Sequence, residues 1–201
     1  MKDVLGHAQR FLDSTRKLDF LGPLAFRIFL APIFILAGLG KLGAIGDTAT
    51  WFGSLGIPAP AIMAWLAGLT ELIGGVLLIP GIAVRWVAVP LMVAMAVAAS
   101  AAHWDNGWHA LPDKELMMPW EWREDLIDGA VERRTMARTL LRRHGNYDWL
   151  TETGSITILK NGIEFAATYF IMLLSLFFTG AGRLSVDHFV RRYLDRTSAA
   201  L

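Results

Sequence analysis

The chain has 201 residues, 54% of them hydrophobic, and a mean hydropathy of +0.43. Its formal net charge is +1, with 19 basic residues balanced by 18 acidic ones, so the sequence gives no indication of a nucleic-acid partner. It contains no cysteine, which excludes disulfides, thiolate metal sites and thiol catalysis within the chain. Such hydropathy over this length predicts an integral membrane protein with the lipid bilayer as its main partner.

Apolar residues recur at helical spacing in residues 1–20, which predicts a short amphipathic helix on the membrane surface. Four later segments are long enough to cross a hydrocarbon core of ~30 Å, which needs ~20 residues per helix. The first three spans lie within residues 21–102 and the fourth at 156–180. The approximate bounds of the first three are 21–40, 59–79 and 83–102. The sequence therefore predicts an all-α fold, a polytopic four-helix membrane bundle.

One hydrophilic block, residues 103–155, separates the third and fourth predicted spans. We expect it to lie outside the membrane and to form one or two short amphipathic helices, with Gly145 as a helix stop. Residues 181–201 form a polar, basic tail. Residues 1–20 and this tail each carry four lysine or arginine residues, whereas the loop after the first span has only Lys41, so the positive-inside rule predicts that both termini lie in the cytoplasm.

Glu71 lies in the middle of the apolar run WLAGLTELIGGVLLIPG. A charge at the centre of a membrane helix costs roughly 2.5–3.5 kcal/mol, so such a residue faces the bundle interior and finds a partner. Gly68 and Gly75 share its helix face and would admit a close neighbour. Arg27 lies ~9 Å inside the first span and Glu71 ~12 Å from the same membrane face. The sequence predicts an Arg27–Glu71 pair.

A second polar cluster is predicted near the opposite membrane face, where three of the spans begin or end. Lys160 precedes Glu164 by one helical turn and could pair with it on the same helix. The predicted members of this cluster are Lys41, His103, Asp105, Lys160 and Glu164.

Each predicted cluster has two interpretations, because buried charges either fix helix order or take part in chemistry. For the Arg27–Glu71 pair the architectural role is favoured. For the second cluster both interpretations stay open, because His103 can change its charge near neutral pH. His103 and His109, followed by Met117 and Met118, have side chains that copper accepts as ligands. Their spacing matches no tight metal pattern, which favours ordinary loop residues.

Several motifs resemble one known family in combination. They are an arginine in the first span, G-x-x-K at its end, G-x-x-E-x-x-G-G in the second span, and G-x-G-R-x-S-x-D after the fourth. Together with RIFLAPIFILAGLGKL and FGSLGIPAPAIMAWLAGLTELIGGVLLIPG, they resemble the DoxX family of small four-helix bacterial membrane proteins. HWDNGWHA, HGNYDWLTETGS and KNGIEFAATYFIMLLSLFFTGAGR further resemble its HvfX-like branch.

The resemblance implies a bacterial inner-membrane location and marks Arg27, Lys41, Glu71, Arg183 and Asp187 as the positions that match the family pattern. The HvfX-like branch is associated with maturation of copper-binding modified peptides. The resemblance therefore implies an accessory protein for such a peptide, with peptide-maturation proteins as partners. Because DoxX relatives include a membrane subunit of a thiosulfate–quinone oxidoreductase, a quinone-linked oxidoreductase subunit is the alternative.

A third possibility is a small-molecule or proton carrier. Four helices are few for alternating access unless the chain forms a homo-oligomer.

Overall fold

The computed structural model describes Gln9, residues 12–111, Glu115 and residues 117–198. Over that part of the chain there are helices, turns and extended segments but no strand, which confirms the all-α prediction. The α-helices are α1 (Leu21–Gly43), α2 (Ile45–Ser54), α3 (Pro60–Leu78), α4 (Val84–Val97), α5 (Glu124–His144), α6 (Tyr147–Leu150), α7 (Glu164–Thr179) and α8 (Val186–Ser198).

Three helical segments are long and apolar enough to cross a membrane, judged over the described residues. They are α1, α3 and the stretch Val84–Asn106, in which α4 continues into a π-helical segment at Ala98–His103 and a 3-10 turn at Trp104–Asn106. These segments correspond to the first three predicted spans. The prediction of a multi-pass helical membrane protein is thereby confirmed.

The fourth predicted span, residues 156–180, is helical only over α7. A 16-residue helix is ~24 Å long, which is shorter than a hydrocarbon core of ~30 Å. Its first residues are not helical because residues 160–164 donate backbone hydrogen bonds to the carbonyls of residues 107–110. A crossing by α7, and with it the cytoplasmic location of both termini, stays a prediction.

Two further segments differ from the sequence-based expectation or lie outside the structure. Residues 45–54, which lie between the first two predicted spans, form α2, because Thr48 and Phe52 are one turn apart and both buried. Half of the predicted amphipathic helix at residues 1–20 lies outside the described residues. Its described end is helical at residues 12–15 and continues into a 3-10 turn at Arg16–Leu18.

The chain forms two compact units. The first comprises the described residues of 1–94 and 169–201, and the second comprises those of 95–168. Helices α4 and α7 contribute residues to both units.

In the first unit, α1 and α3 approach each other through glycine. A Cβ added to Gly38 would lie 2.5 Å from the backbone nitrogen of Leu72, and a Cβ on Gly75 would lie 2.9 Å from the carbonyl oxygen of Ala31. No side chain therefore fits at either contact. Such close backbone approach is how membrane helices gain packing energy without a hydrophobic driving force between them. The predicted small-residue face of α3 is confirmed.

Helices α3 and α4 follow each other through a short link and pack as an antiparallel hairpin. The link at residues 79–83 is tight, with positive φ angles of 71° at Gly81 and 51° at Ala83. Further along the hairpin, the side chain of Leu91 packs against Gly74. A side chain at Gly81 would collide with the Arg27 guanidinium, so glycine is required there for space as well as for conformation.

The second unit contains α5, α6 and two facing loop segments. Helix α5 ends at His144, and Gly145 follows as its cap, as predicted. Residues 107–110 accept backbone hydrogen bonds from residues 160–164, and Gly162 lies so close to three carbonyls of the facing segment that a Cβ would lie 2.5–2.6 Å from them. This backbone pairing positions the polar groups of the second unit.

The Gly38 contact leads to a stability prediction. Gly38→Ala should destabilise the protein by about 1–3 kcal/mol, because overpacking forces α1 and α3 apart. Unfolding in mixed micelles, followed by tryptophan fluorescence, measures this change. Gly40→Ala is the matched control, since nothing lies within 4 Å of its added Cβ, and it should be neutral or slightly stabilising. Equal effects of both substitutions would contradict the close contact.

Candidate functional site

An ion pair between Lys41 and Glu71 lies inside the first unit. The Nζ of Lys41, near the end of α1, donates a 2.6 Å hydrogen bond to Oε2 of Glu71 in the middle of α3. The Glu71 side chain is only 5% exposed, whereas that of Lys41 is 24% exposed. The carboxylate is therefore enclosed, while its ammonium partner keeps a path to the surface.

The predicted Arg27–Glu71 pair is wrong. Arg27 is buried and donates four hydrogen bonds to backbone carbonyls, with no carboxylate among the acceptors. The acceptors are the carbonyls of Leu78 at 2.8 Å, Ile79 at 2.7 Å, Ala181 at 2.7 Å and Leu184 at 2.9 Å. Two belong to the end of α3, where the last carbonyls of a helix have no intrahelical partner.

Helix register explains the error. The prediction placed the start of α1 level with the end of α3, so that Arg27 and Glu71 had similar depths. The glycine contacts instead place Gly38 against Leu72, and Arg27 is level with the end of α3 at Leu78. On α3, Glu71 lies ~10 Å from Leu78 along the helix axis, given a rise of 1.5 Å per residue. Arg27, which contacts Leu78, therefore does not reach Glu71. Lys41, which lies beyond Gly38 on α1, is the cation within reach.

Asp187 caps the N-terminus of α4, although the two are far apart in the sequence. Its two carboxylate oxygens accept hydrogen bonds from the backbone N–H groups of Ala83, at 2.6 Å, and Val84, at 2.9 Å. Val84 begins α4, so the carboxylate also interacts favourably with the positive end of that helix. Arg183, by contrast, makes an exposed 3.6 Å contact with Asp19, an arrangement that contributes little energy. Of the positions after the fourth predicted span, Asp187 therefore has the clear structural role.

The second unit contains an ion pair that the sequence analysis missed, between Glu121 and Lys160. Lys160 Nζ lies 2.6 Å from Glu121 Oε2, and both side chains are almost fully enclosed. Glu121 also accepts backbone hydrogen bonds from Trp108 at 3.1 Å, His109 at 3.0 Å and Arg123 at 2.8 Å. Burial alone would raise the pKa of Glu121, but the contact with Lys160 and these backbone hydrogen bonds outweigh it and lower the pKa to about 2.

Two members of the second predicted cluster, Lys41 and Lys160, have ion-pair partners that the sequence analysis did not predict. Lys41 belongs to the first unit, where it pairs with Glu71. Lys160 pairs with Glu121 and not with Glu164, because residue 160 precedes the helix and the i, i+4 geometry does not exist there. Glu164 Oε2 accepts a 2.9 Å hydrogen bond from the Ala110 N–H.

His103 and Asp105 also make hydrogen bonds within the second unit. The Nδ1 of His103 lies 2.9 Å from the carbonyl oxygen of Asn161. Asp105 takes part through its backbone carbonyl, which accepts a short hydrogen bond from Arg123.

The two histidines considered as copper ligands each hydrogen-bond to a backbone group, Asn161 for His103 and Met118 for His109. His109 is buried, and its Nε2 accepts a 2.9 Å hydrogen bond from the Met118 N–H, which occupies that lone pair. Among the residues that the structure describes, no three histidine, aspartate or glutamate side chains come together as a metal-binding group. Lys41–Glu71 is the candidate functional site because it joins an enclosed carboxylate to a lysine across two helices that are long and apolar enough to cross a membrane.

The coupling between Lys41 and Glu71 is measurable. Lys41→Met leaves an enclosed carboxyl group without its cation, and removing one partner of a buried pair costs about 3–5 kcal/mol. Adding Glu71→Gln should recover much of this loss, because the stranded charge is then gone. Unfolding free energies of both single variants and the double variant test the pairing. Asp47→Asn, at an exposed position of α2, serves as the control. Additive losses would contradict a direct interaction.

The low pKa of Glu121 predicts a pH dependence. The pKa falls from 4.5 to about 2 on folding, so the stabilisation is fully present above pH ~4.5 and is lost as the pH falls through ~2. Glu121→Gln should remove this dependence and speed hydrogen exchange at the Trp108 and His109 amides. Exchange measured between pH 2 and pH 6 tests this. Glu124→Gln, exposed in the first turn of α5, is the control. An unchanged pH profile in Glu121→Gln would refute the assignment.

Comparison with known proteins adds a family context to this geometry. Residues 22–104 match the DoxX family, which covers α1–α4 and both members of the Lys41–Glu71 pair. A relative from Bacillus subtilis (strain 168), named "Putative oxidoreductase CatD", is 41% identical over 69 residues. This match covers 34% of the present chain and 50% of the relative, so the chain spans about half of that protein's length. No solved structure matches. The comparisons therefore support a DoxX family domain over residues 22–104 of a multi-pass membrane protein.

Proposed function

We propose that this protein is an integral membrane subunit of a quinone-linked oxidoreductase. The observation that carries the proposal is the Lys41–Glu71 ion pair within two membrane-spanning helices. The name of the CatD relative, an oxidoreductase, supports the same reaction class. An ionisable pair at this depth is costly to insert, and such groups commonly mark a proton or substrate path.

The donor set of the pair fits a quinone. The Lys41 ammonium has three N–H donors, one of which is given to Glu71, so further donors are available to a carbonyl oxygen. Glu71 is a carboxylate that can accept and release a proton. Arg27 is unsuited to this role, because four of its five N–H donors are already bound to backbone carbonyls.

A bound quinone would supply two-electron, two-proton chemistry, with electrons exchanged through a partner subunit. The chain has no cysteine, so it cannot hold a thiolate-ligated iron–sulfur cluster or a CxxCH haem of its own. Lys41 would hold a quinone oxygen by hydrogen bonding, and its partial exposure lets that oxygen approach from the helix surface. Glu71 would transfer the proton at its carboxylate, shielded from bulk water by the α1–α3 contact.

The accessory role in maturation of a copper-binding peptide is the second candidate. The feature that favours it is the second unit, most of which lies outside the DoxX match. It exposes Trp104, Trp120 and Trp122, and the rings of Trp104 and Trp122 lie 4.8 Å apart. Exposed tryptophans are frequent anchors at protein interfaces. In this role the unit would dock a peptide or a maturation protein.

The carrier alternative would use the same Lys41–Glu71 pair as its proton-binding group. Proton or solute flux in proteoliposomes that contain no quinone separates a carrier from a redox subunit. Flux that depends on Glu71 under those conditions would favour the carrier.

The redox proposal predicts that the purified protein retains quinone and that its production in membranes raises quinol turnover. Glu71→Gln should lower turnover by roughly 10²-fold or more, the usual contribution of a positioned acid–base group, while quinone is still retained. Lys41→Met should lower quinone retention as well. Chromatography of the extracted quinone and spectrophotometric turnover measure the two effects, with Asp47→Asn as the control.

Wild-type protein that neither retains quinone nor changes quinol turnover would overturn the redox proposal. For the accessory role, deleting the gene should impair modification or export of the peptide and copper tolerance. If all three are unchanged in the deletion strain, the accessory role is refuted.

A further inference from the structure

The C-terminal helix α8 has a strongly amphipathic surface. Val186, Phe189, Val190, Tyr193 and Leu194 recur at spacings of three and four residues and form one apolar stripe. All five are exposed, with exposed fractions from 39% for Val186 to 72% for Tyr193. Within the described part of the chain, nothing covers this stripe.

Hydrogen bonds fix the start of α8 at the end of the membrane helices. The Val186 N–H donates a 3.0 Å hydrogen bond to the carbonyl of Pro80, and the Asp187 N–H donates one of 3.1 Å to Gly81. The Asp187 carboxylate accepts from the N–H groups that begin α4. Pro80 and Gly81 lie in the link between two spanning segments, so α8 starts at the membrane surface on that side.

The charges of α8 are arranged for an anionic lipid surface. At ~100° per residue, Arg191 lies beside one edge of the apolar stripe, and Arg192 and Arg196 lie towards the other. Asp195 lies on the opposite side of the helix, and the Asp187 carboxylate is occupied by backbone N–H groups. Arginines that flank an apolar stripe can extend to lipid headgroups while the stripe enters the acyl region.

A cleft beside the first turn of α8 gives a headgroup additional room. It has a volume of about 540 Å³ and is lined partly by Arg183, His188 and Arg191, with Asp19 as the carboxylate that contacts Arg183. Basic side chains thus continue from the helix onto the surface where the membrane begins.

We propose that α8 is an interfacial helix that lies in the membrane plane and binds anionic phospholipid through its arginine flanks. The occupant of the apolar stripe is the lipid surface, because the helix starts at the ends of spanning segments and its positive charges border the stripe. The inference is independent of the redox proposal and concerns how the chain holds its C-terminal segment.

The test uses the absence of cysteine, which permits single-site labelling of the full chain. Phe189→Cys and Tyr193→Cys place a fluorophore on the stripe, and Asp195→Cys places it on the opposite side. The proteins are reconstituted at one copy per nanodisc in phosphatidylglycerol–phosphatidylcholine mixtures. Brominated lipid should quench the probes at 189 and 193, whereas aqueous iodide should quench the probe at 195. All three positions are exposed, so the variants should keep the wild-type elution profile.

Two outcomes would overturn the proposal. Quenching of the stripe probes by iodide alone would show that α8 lies in water. Quenching by neither agent would show that protein, either a second copy or another segment of this chain, covers the stripe.

The lipid preference gives a second measurement. Each arginine near the membrane surface increases binding to anionic over neutral lipid by about fivefold. Arg192→Gln should therefore lower the preference of α8 for phosphatidylglycerol over phosphatidylcholine by roughly fivefold, as measured by quenching of the stripe probes. Asp195→Asn should not lower it. An unchanged preference in Arg192→Gln would refute the anionic-lipid assignment.

Discussion

The contact between the α1 and α3 backbones at Gly38 and Gly75 determines which polar groups can meet in the membrane domain. Because no side chain fits at these two points, the packing favours one register of α1 against α3, and that register decides which groups of α3 the charges of α1 can reach. Lys41 reaches Glu71, and Arg27 reaches the end of α3. The ion pair and the arginine–carbonyl contacts are thus consequences of backbone packing, in the way that small residues govern association of membrane helices.

The sequence predicted those features of the fold that depend on the spacing of apolar and small side chains. Apolar segment lengths predicted the helices that can span, and the spacing of Gly68, Glu71 and Gly75 predicted a tight face with an inward carboxylate. The partner of Glu71 could not be predicted, because it depends on how α1 and α3 are offset along their axes. That offset differs by about two helical turns from the one that the predicted segment ends suggest. The acceptors of Arg27 are backbone carbonyls, which every residue has. No pattern of residue types marks them.

Glu121 shows the same limit in the second unit. It lies in a loop between tryptophans, with no helical spacing to connect it to Lys160. The pairing depends on backbone hydrogen bonds between residues 107–110 and 160–164, which lie far apart in the chain. Lys160 and Glu164, by contrast, have a spacing typical of a helical ion pair, but α7 begins only at Glu164. Where a helix starts therefore decided which carboxylate Lys160 meets.

The contacts of Arg27 have a consequence for the order in which the protein matures. Two of the four acceptors of Arg27, the carbonyls of Ala181 and Leu184, are translated 154 and 157 residues after Arg27 itself. The link before α4 likewise waits for Asp187. Until residues 181–184 are synthesised, the Arg27 guanidinium therefore lacks two of its four backbone acceptors.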